Sequence, residues 1–170
     1  MPLKYINCLS AAQIKKNFVP PKRSIVHFDG KILTDLANQT GEHLAVVLSG
    51  DTPQCKQGKL LSARSIEDGT GESQADEVIA SLKDWKSQSN VVAQCFDTTS
   101  SNTGWIRGAA TRIEQKLERP LLWLPCRHHI SELLLKDAWT SIFGDIDKSP
   151  YIQKFIDFKK IWPSLNKTPR

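Results

Sequence analysis

Asp97 stands directly after the apolar run Val91-Val92-Ala93-Gln94-Cys95-Phe96 and directly before the polar stretch Thr98-Thr99-Ser100-Ser101-Asn102-Thr103-Gly104. A carboxylate at the carboxyl end of a buried strand occupies the place where open α/β sheets carry function. Asp29 lies within a second β-rich run, Ser24 to Leu33. If the two strands are neighbours, the carboxylates meet over the sheet. Two or three clustered carboxylates are hard oxygen donors for Mg²⁺ or Mn²⁺. A pair of such ions about 4 Å apart activates a water or a terminal hydroxyl for attack on a phosphodiester. Residue type alone leaves a plainer reading open: Asp29-Gly30 fits a turn, and Asp97 before Thr-Thr-Ser-Ser fits a helix cap or an Asx turn.

Cys126-Arg127-His128-His129 is the other cluster. A Cys-x-x-His is half of a zinc site, and no second half follows at the usual spacing. A hydrogen-bonded turn that anchors a helix to the sheet suits it better than metal binding or nucleophilic catalysis. The other cysteines, Cys8, Cys55 and Cys95, are scattered, which implies a reducing compartment rather than a disulfide framework. Trp85, Trp123 and Trp139 fall where a core would use them, whereas Trp105 and Trp162 are candidates for exposure and for stacking on a base.

These residues need elements to hold them. Ser24 to Phe28 reads as a strand stopped by Asp29-Gly30, with Lys31-Ile32-Leu33 as a further strand portion. His43 to Leu48 is a near-continuous apolar strand, and Gly58 to Ile66 alternates up to the turn signal Asp68-Gly69. Three strands with short connections predict an antiparallel meander. The period then changes: Ala75, Val78, Ile79, Leu82 and Trp85 recur at helical spacing after a capping-box pattern at Ser73 and Asp76. The strand ending at Phe96 follows, then a helix carrying Ile106, Ala109, Ala110, Ile113 and Leu117, halted by Arg119-Pro120. Leu121 to Pro125 reads as a strand. A helix over 128–143 offers Leu133, Leu134, Ala138 and Ile142 to the core, and a last one starts at Ser149-Pro150 with Phe155, Phe158 and Trp162.

The expected order is β-β-β-α-β-α-β-α, a mixed α/β sheet in the ribonuclease H-like succession. Residues 1–23 are expected as a basic linker, 24–145 as the domain, and 146–170 as the start of a helical insertion or C-terminal helix. A length of 170 residues suits one domain or part of one. No stretch reaches the roughly 18 apolar residues of a membrane span, and the first twenty residues lack the apolar core of a signal peptide. Secretion and membrane insertion are not expected.

The net charge is +5, unevenly spread: residues 1–40 hold six Lys or Arg against two acids, while residues 41–90 hold eight acids against five bases. Basic ends suit a polyanion such as nucleic acid, although an ordinary solvated surface has the same charge. The candidate nucleic-acid contacts are Lys22, Arg23, Arg107 and Arg127.

The run from Val91 through Asp97 to Gly104, followed by a helix, a strand and Cys126-Arg127-His128-His129-Ile130-Ser131-Glu132-Leu133, resembles the catalytic core of hAT-superfamily DNA transposases. Asp97, Asn102, Cys126 and His129 take that family's motif positions, and Ser24 to Leu33 is similar to the strand with its first catalytic Asp. The likeness covers residues 24–145. It implies a ribonuclease H-like domain related to metal-dependent DNA cleavage and strand transfer. Asp29 and Asp97 would be catalytic ligands of Mg²⁺ or Mn²⁺, and Asn102, Cys126 and His129 would have structural roles. DNA would be the partner, in a nuclear or cytoplasmic setting, with a homo-oligomer possible. Such enzymes add a Glu on a late helix, beyond a helical insertion; Asp137, Asp145 and Asp147 come too early for it. The chain is therefore expected to stop short of that helix and to be inactive in cleavage alone. The alternative is a non-catalytic module, domesticated from a transposon, that binds nucleic acid or protein.

Overall fold

The structure, a computed structural model, describes residues 12–34, 40–143 and 153–165. It divides into two units, Met1–His129 and Ile130–Arg170. The domain end expected at residue 145 lies outside the described residues, as do Cys8, Asp145, Asp147 and Ser149-Pro150.

The first unit is built on five strands: β1 (Ser24–Thr34), β2 (Thr40–Gly50), β3 (Lys59–Ser65), β4 (Val91–Phe96) and β5 (Leu122–Pro125). Its helices are α1 (Gly71–Asp84), the single turn α2 (Ser100–Thr103) and α3 (Ala109–Leu117). Helix α4 (Arg127–Phe143) begins in this unit and runs into the second, which also holds α5 (Gln153–Ile161). The sheet order is β3-β2-β1-β4-β5. Strands β1, β2 and β3 pair antiparallel, whereas β4 joins β1, and β5 joins β4, in parallel. The expected mixed α/β sheet is present.

Alternation decides which sheet face is covered. In β2, Leu44, Val46 and Leu48 are buried at every second position. They join Val26 and Phe28 of β1 and the stripes Ala75, Val78, Ile79 and Leu82 of α1 and Ala109, Ala110 and Ile113 of α3 in one core. Phe28 and Phe96 stack within it, ring centroids 5.4 Å apart. Trp85 closes one end and donates its indole N–H to the Leu61 carbonyl at 3.0 Å, so its polar atom is satisfied where it is buried.

Several sequence expectations are corrected. Asp29-Gly30 does not stop a strand, because β1 runs through it for eleven residues, each paired to β2. Helix α1 starts a turn earlier than the capping box predicted: Thr70 is the N-cap, and its hydroxyl accepts from the Ser73 amide. Residues 12–23 are no free linker. Residues 12–16 are helical, Phe18 meets Trp85 edge-on at 4.9 Å, and Lys15 pairs with Asp84 at 3.3 Å. Ile106 is not on a helix face but in the loop before α3, 80 % exposed. Leu133, Leu134, Ala138 and Ile142 are exposed and contribute nothing to the core. All four lie on the part of α4 that belongs to the second unit. In the second unit Phe158 meets the ring of Trp162 at 5.4 Å. Among the described residues no helix is long and apolar enough to cross a membrane.

His27 gives the fold a pH dependence. It is half-buried on β1, its Nε2 lies 2.7 Å from the Ser49 hydroxyl, and burial lowers its pKa below the ordinary 6.5. The unfolded chain then binds the proton more readily, so stability falls as pH drops through and below that ordinary value. Wild type should lose more unfolding free energy between pH 7.5 and about 5.5 than His27→Gln. Urea titrations at both pH values check this, and equal losses would exclude His27 as the source.

Candidate functional site

Strands β1 and β4 run in parallel with Val26 level with Gln94 and His27 level with Cys95. The pairing ends there; continued by two residues, past the stacked Phe28 and Phe96, the register would bring Asp29 level with Asp97. On the other side β5 keeps step with β4, Phe96 level with Pro125, so Cys126 comes level with Asp97. Neighbouring strands are about 4.8 Å apart. Asp97 and Cys126 thus follow the carboxyl ends of β4 and β5, whereas Asp29 lies in the middle of β1.

The sequence around Asp97 explains its local shape. Once β4 ends, Asp97 Oδ1 accepts from the Thr99 amide at 3.2 Å, the Thr99 hydroxyl at 2.7 Å and the Asn102 side-chain amide at 2.5 Å. This is an Asx turn that starts α2, as the plainer reading had it. The same local pattern recurs at Asp68, which accepts from the Thr70 amide at 3.0 Å and from the hydroxyls of Thr70 and Ser73. Those bonds hold the exposed Asp68 below the usual carboxylate range, the Thr70 hydroxyl most of all. An Asx turn by itself thus marks no function in this chain. What separates Asp97 from Asp68 is that it follows a strand paired in parallel with the one that carries Asp29.

Asn102 is 3 % exposed, so it is a buried positioning group rather than a surface residue of the loop. Its amide reaches Asp97 while its own Oδ1 is buried without a partner. Asp97 Oδ2 makes no hydrogen bond among the described residues. Asp29 is exposed.

Cys126 anchors the end of β5, its amide donating to the Phe96 carbonyl at 2.9 Å. This is a main-chain bond and involves neither the Cys126 thiol nor the His129 ring. Cys126 and His129 are both half-buried, while Arg127 and His128 are exposed. Burial, and then the Cys126 thiol nearby, push the Cys95 thiol up, which keeps it protonated and a poor nucleophile. Among the described residues no group of three or more His, Cys, Asp or Glu is placed to hold a metal ion.

The basic candidates do not converge. Lys22 and Arg23 are exposed just before β1, half a strand away from Asp29. Arg107 is exposed on the loop before α3. Sequence reading overlooked Arg112, which stands with Arg107 beside the first turn of α1; it looked like one more polar residue on a helix.

The sequence matches no family model and no curated protein.

Proposed function

We propose that the chain carries a ribonuclease H-like fold of hAT-transposase ancestry, with Asp29 and Asp97 as the two strand-borne ligands of a divalent metal site directed at DNA. The observation that carries this reading is the parallel pairing of β1 with β4, whose register, continued past His27 and Cys95, would bring Asp29 level with Asp97. Two carboxylates fit Mg²⁺ or Mn²⁺ in donor type, since such ions are commonly held by one or two carboxylates and otherwise by water and substrate phosphate. When bound, the ion would polarise a phosphodiester. Asn102 and Thr99 fix the Asp97 carboxylate through Oδ1 and leave Oδ2 for the ligand.

Among the described residues no third carboxylate joins the pair, and two alone hold the ion weakly and compensate little charge, so efficient strand cleavage is not expected. The same observation favours a second reading, a module that binds nucleic acid or protein without chemistry.

Water-proton relaxation with Mn²⁺ tests the metal assignment without any activity. Asp97→Asn and Asp29→Asn should each weaken Mn²⁺ binding about tenfold, the loss of about 1.4 kcal/mol for one ligand charge. Unchanged binding in both would leave only the second reading. Mg²⁺-dependent nicking of supercoiled DNA at enzyme-like rates, lost in Asp97→Asn, would show instead that the site is complete.

A further inference from the structure

Between α2 and α3 the chain makes a tight loop, closed where the Gly108 amide donates to the Gly104 carbonyl at 2.9 Å. Glycine is required by the closeness of backbones: a Cβ on Gly108 would sit 2.5 Å from both the nitrogen and the oxygen of Gly104. The loop is also pressed onto the first turn of α1, where a Cβ on Gly71 would sit 2.2 Å from the Arg107 carbonyl oxygen. Backbone packed this closely fixes the path of the loop. The loop turns Trp105 outward, 93 % exposed, next to the exposed Arg107.

Beside the loop lies an open cleft of about 630 Å³, lined by Gly71, Glu72, Ser100, Ser101, Arg107 and Arg112. Its one carboxylate, Glu72, is met by both Arg112 and Lys116. Arg107 makes no ion pair or side-chain hydrogen bond among the described residues, and neither does the Ser100 hydroxyl. The cleft thus offers the unpaired Arg107 and Ser100 hydroxyl as donors, while Glu72 and Arg112 already satisfy each other. That suits a phosphate.

We propose that this loop and cleft bind single-stranded DNA, with a backbone phosphate against Arg107 and the Ser100 hydroxyl and a neighbouring unpaired base stacked on Trp105. The inference rests on the DNA-directed reading above but not on its metal site. Both faces of a base pair inside a duplex are already stacked, so an exposed indole gains only from an unpaired base.

Fluorescence anisotropy of the full chain with a labelled oligothymidine of about twelve nucleotides tests this, with a duplex of the same length as control. Trp105→Ala should weaken binding of the single strand roughly tenfold and that of the duplex less than twofold. Trp105→Phe, which keeps a stacking ring, should restore most of the loss. Arg107→Gln should flatten the salt dependence by about 0.7 in log K against log salt, the share of one phosphate on a single strand. Wild-type-like single-strand binding by Trp105→Ala would overturn the inference and leave the DNA-directed reading standing. Equal weakening on both ligands would overturn the choice of a single strand. No binding of either DNA by wild type at about 50 mM salt would overturn the inference and the DNA-directed reading together, whatever Mn²⁺ does.

Discussion

Asn102→Asp is expected to cost the fold about 3–5 kcal/mol at pH 7, the penalty for a buried charge without a compensating partner. The native amide donates to Asp97 Oδ1 at 2.5 Å from a side chain only 3 % exposed. The substitution turns that donor into a second carboxylate oxygen facing the first. Burial and like charge both favour the protonated form of the new group, so its pKa rises in the folded state. The sign follows: the folded variant binds the proton more tightly than the unfolded chain, so the penalty shrinks as pH falls towards about 4. Denaturant titrations of wild type and variant at both pH values check this through their difference, which cancels titrations common to both. Asn102→Ala serves as reference, since it removes the bond without adding charge and should cost about 1–2 kcal/mol at either pH. If Asn102→Asp matched wild type at pH 7, the Asn102–Asp97 bond would not be part of the folded state.

Gly71→Ala carries the second large effect. Gly71 is the first residue of α1, where propensity alone would reward alanine by up to about 1 kcal/mol. Sterics oppose this: the added methyl would meet the Arg107 carbonyl oxygen at 2.2 Å and the Ala109 nitrogen at 2.7 Å. Both are backbone atoms and cannot swing away, so α1 and the loop before α3 must separate. Overpacking of this kind costs about 1–3 kcal/mol, and the rigid neighbours place it at the upper end. At about 2–4 °C per kcal/mol for a chain of this length, the melting temperature should fall by roughly 4–12 °C. Calorimetry decides between the two forces. A raised melting temperature would mean that propensity wins and the two backbones are not in contact.

Much of this architecture is written in short-range pattern. The strand β2 and the stripe from Ala75 to Leu82 come from residues a few positions apart, and the sequence predicts both, although it reads β2 as near-continuously apolar where burial alternates. The end of β4 at Asp97 is legible for the same reason, because an apolar run meets a polar one. The alignment that would bring Asp29 level with Asp97 is different. It depends on a parallel register between distant strands, and nothing in either segment encodes the offset. The continuity of β1 through Asp29-Gly30 was hidden because a turn signal loses to eleven cross-strand pairs with β2. The cleft was hidden because the glycines at 71, 104 and 108 matter only once backbones from different elements touch. Ile106 was misread because its spacing from Ala109 and Ala110 mimics a helix stripe, while the helix begins only at Ala109.

The parallel pairing of β1 with β4 also orders events in time. Strands β1, β2 and β3 are joined by short connections, so their antiparallel pairing closes small loops at small entropic cost. Strand β4 reaches β1 only after the chain has passed through β2, β3 and α1, and β5 comes later still. During refolding, Asp29 sits early on a preformed hairpin and waits for Asp97 to arrive on a strand that must close a much longer loop. The two carboxylates should therefore be brought onto neighbouring strands late in folding, and on a ribosome Asp29 emerges before its partner strand. Any ligand that needs both carboxylates binds only chains that have completed that closure.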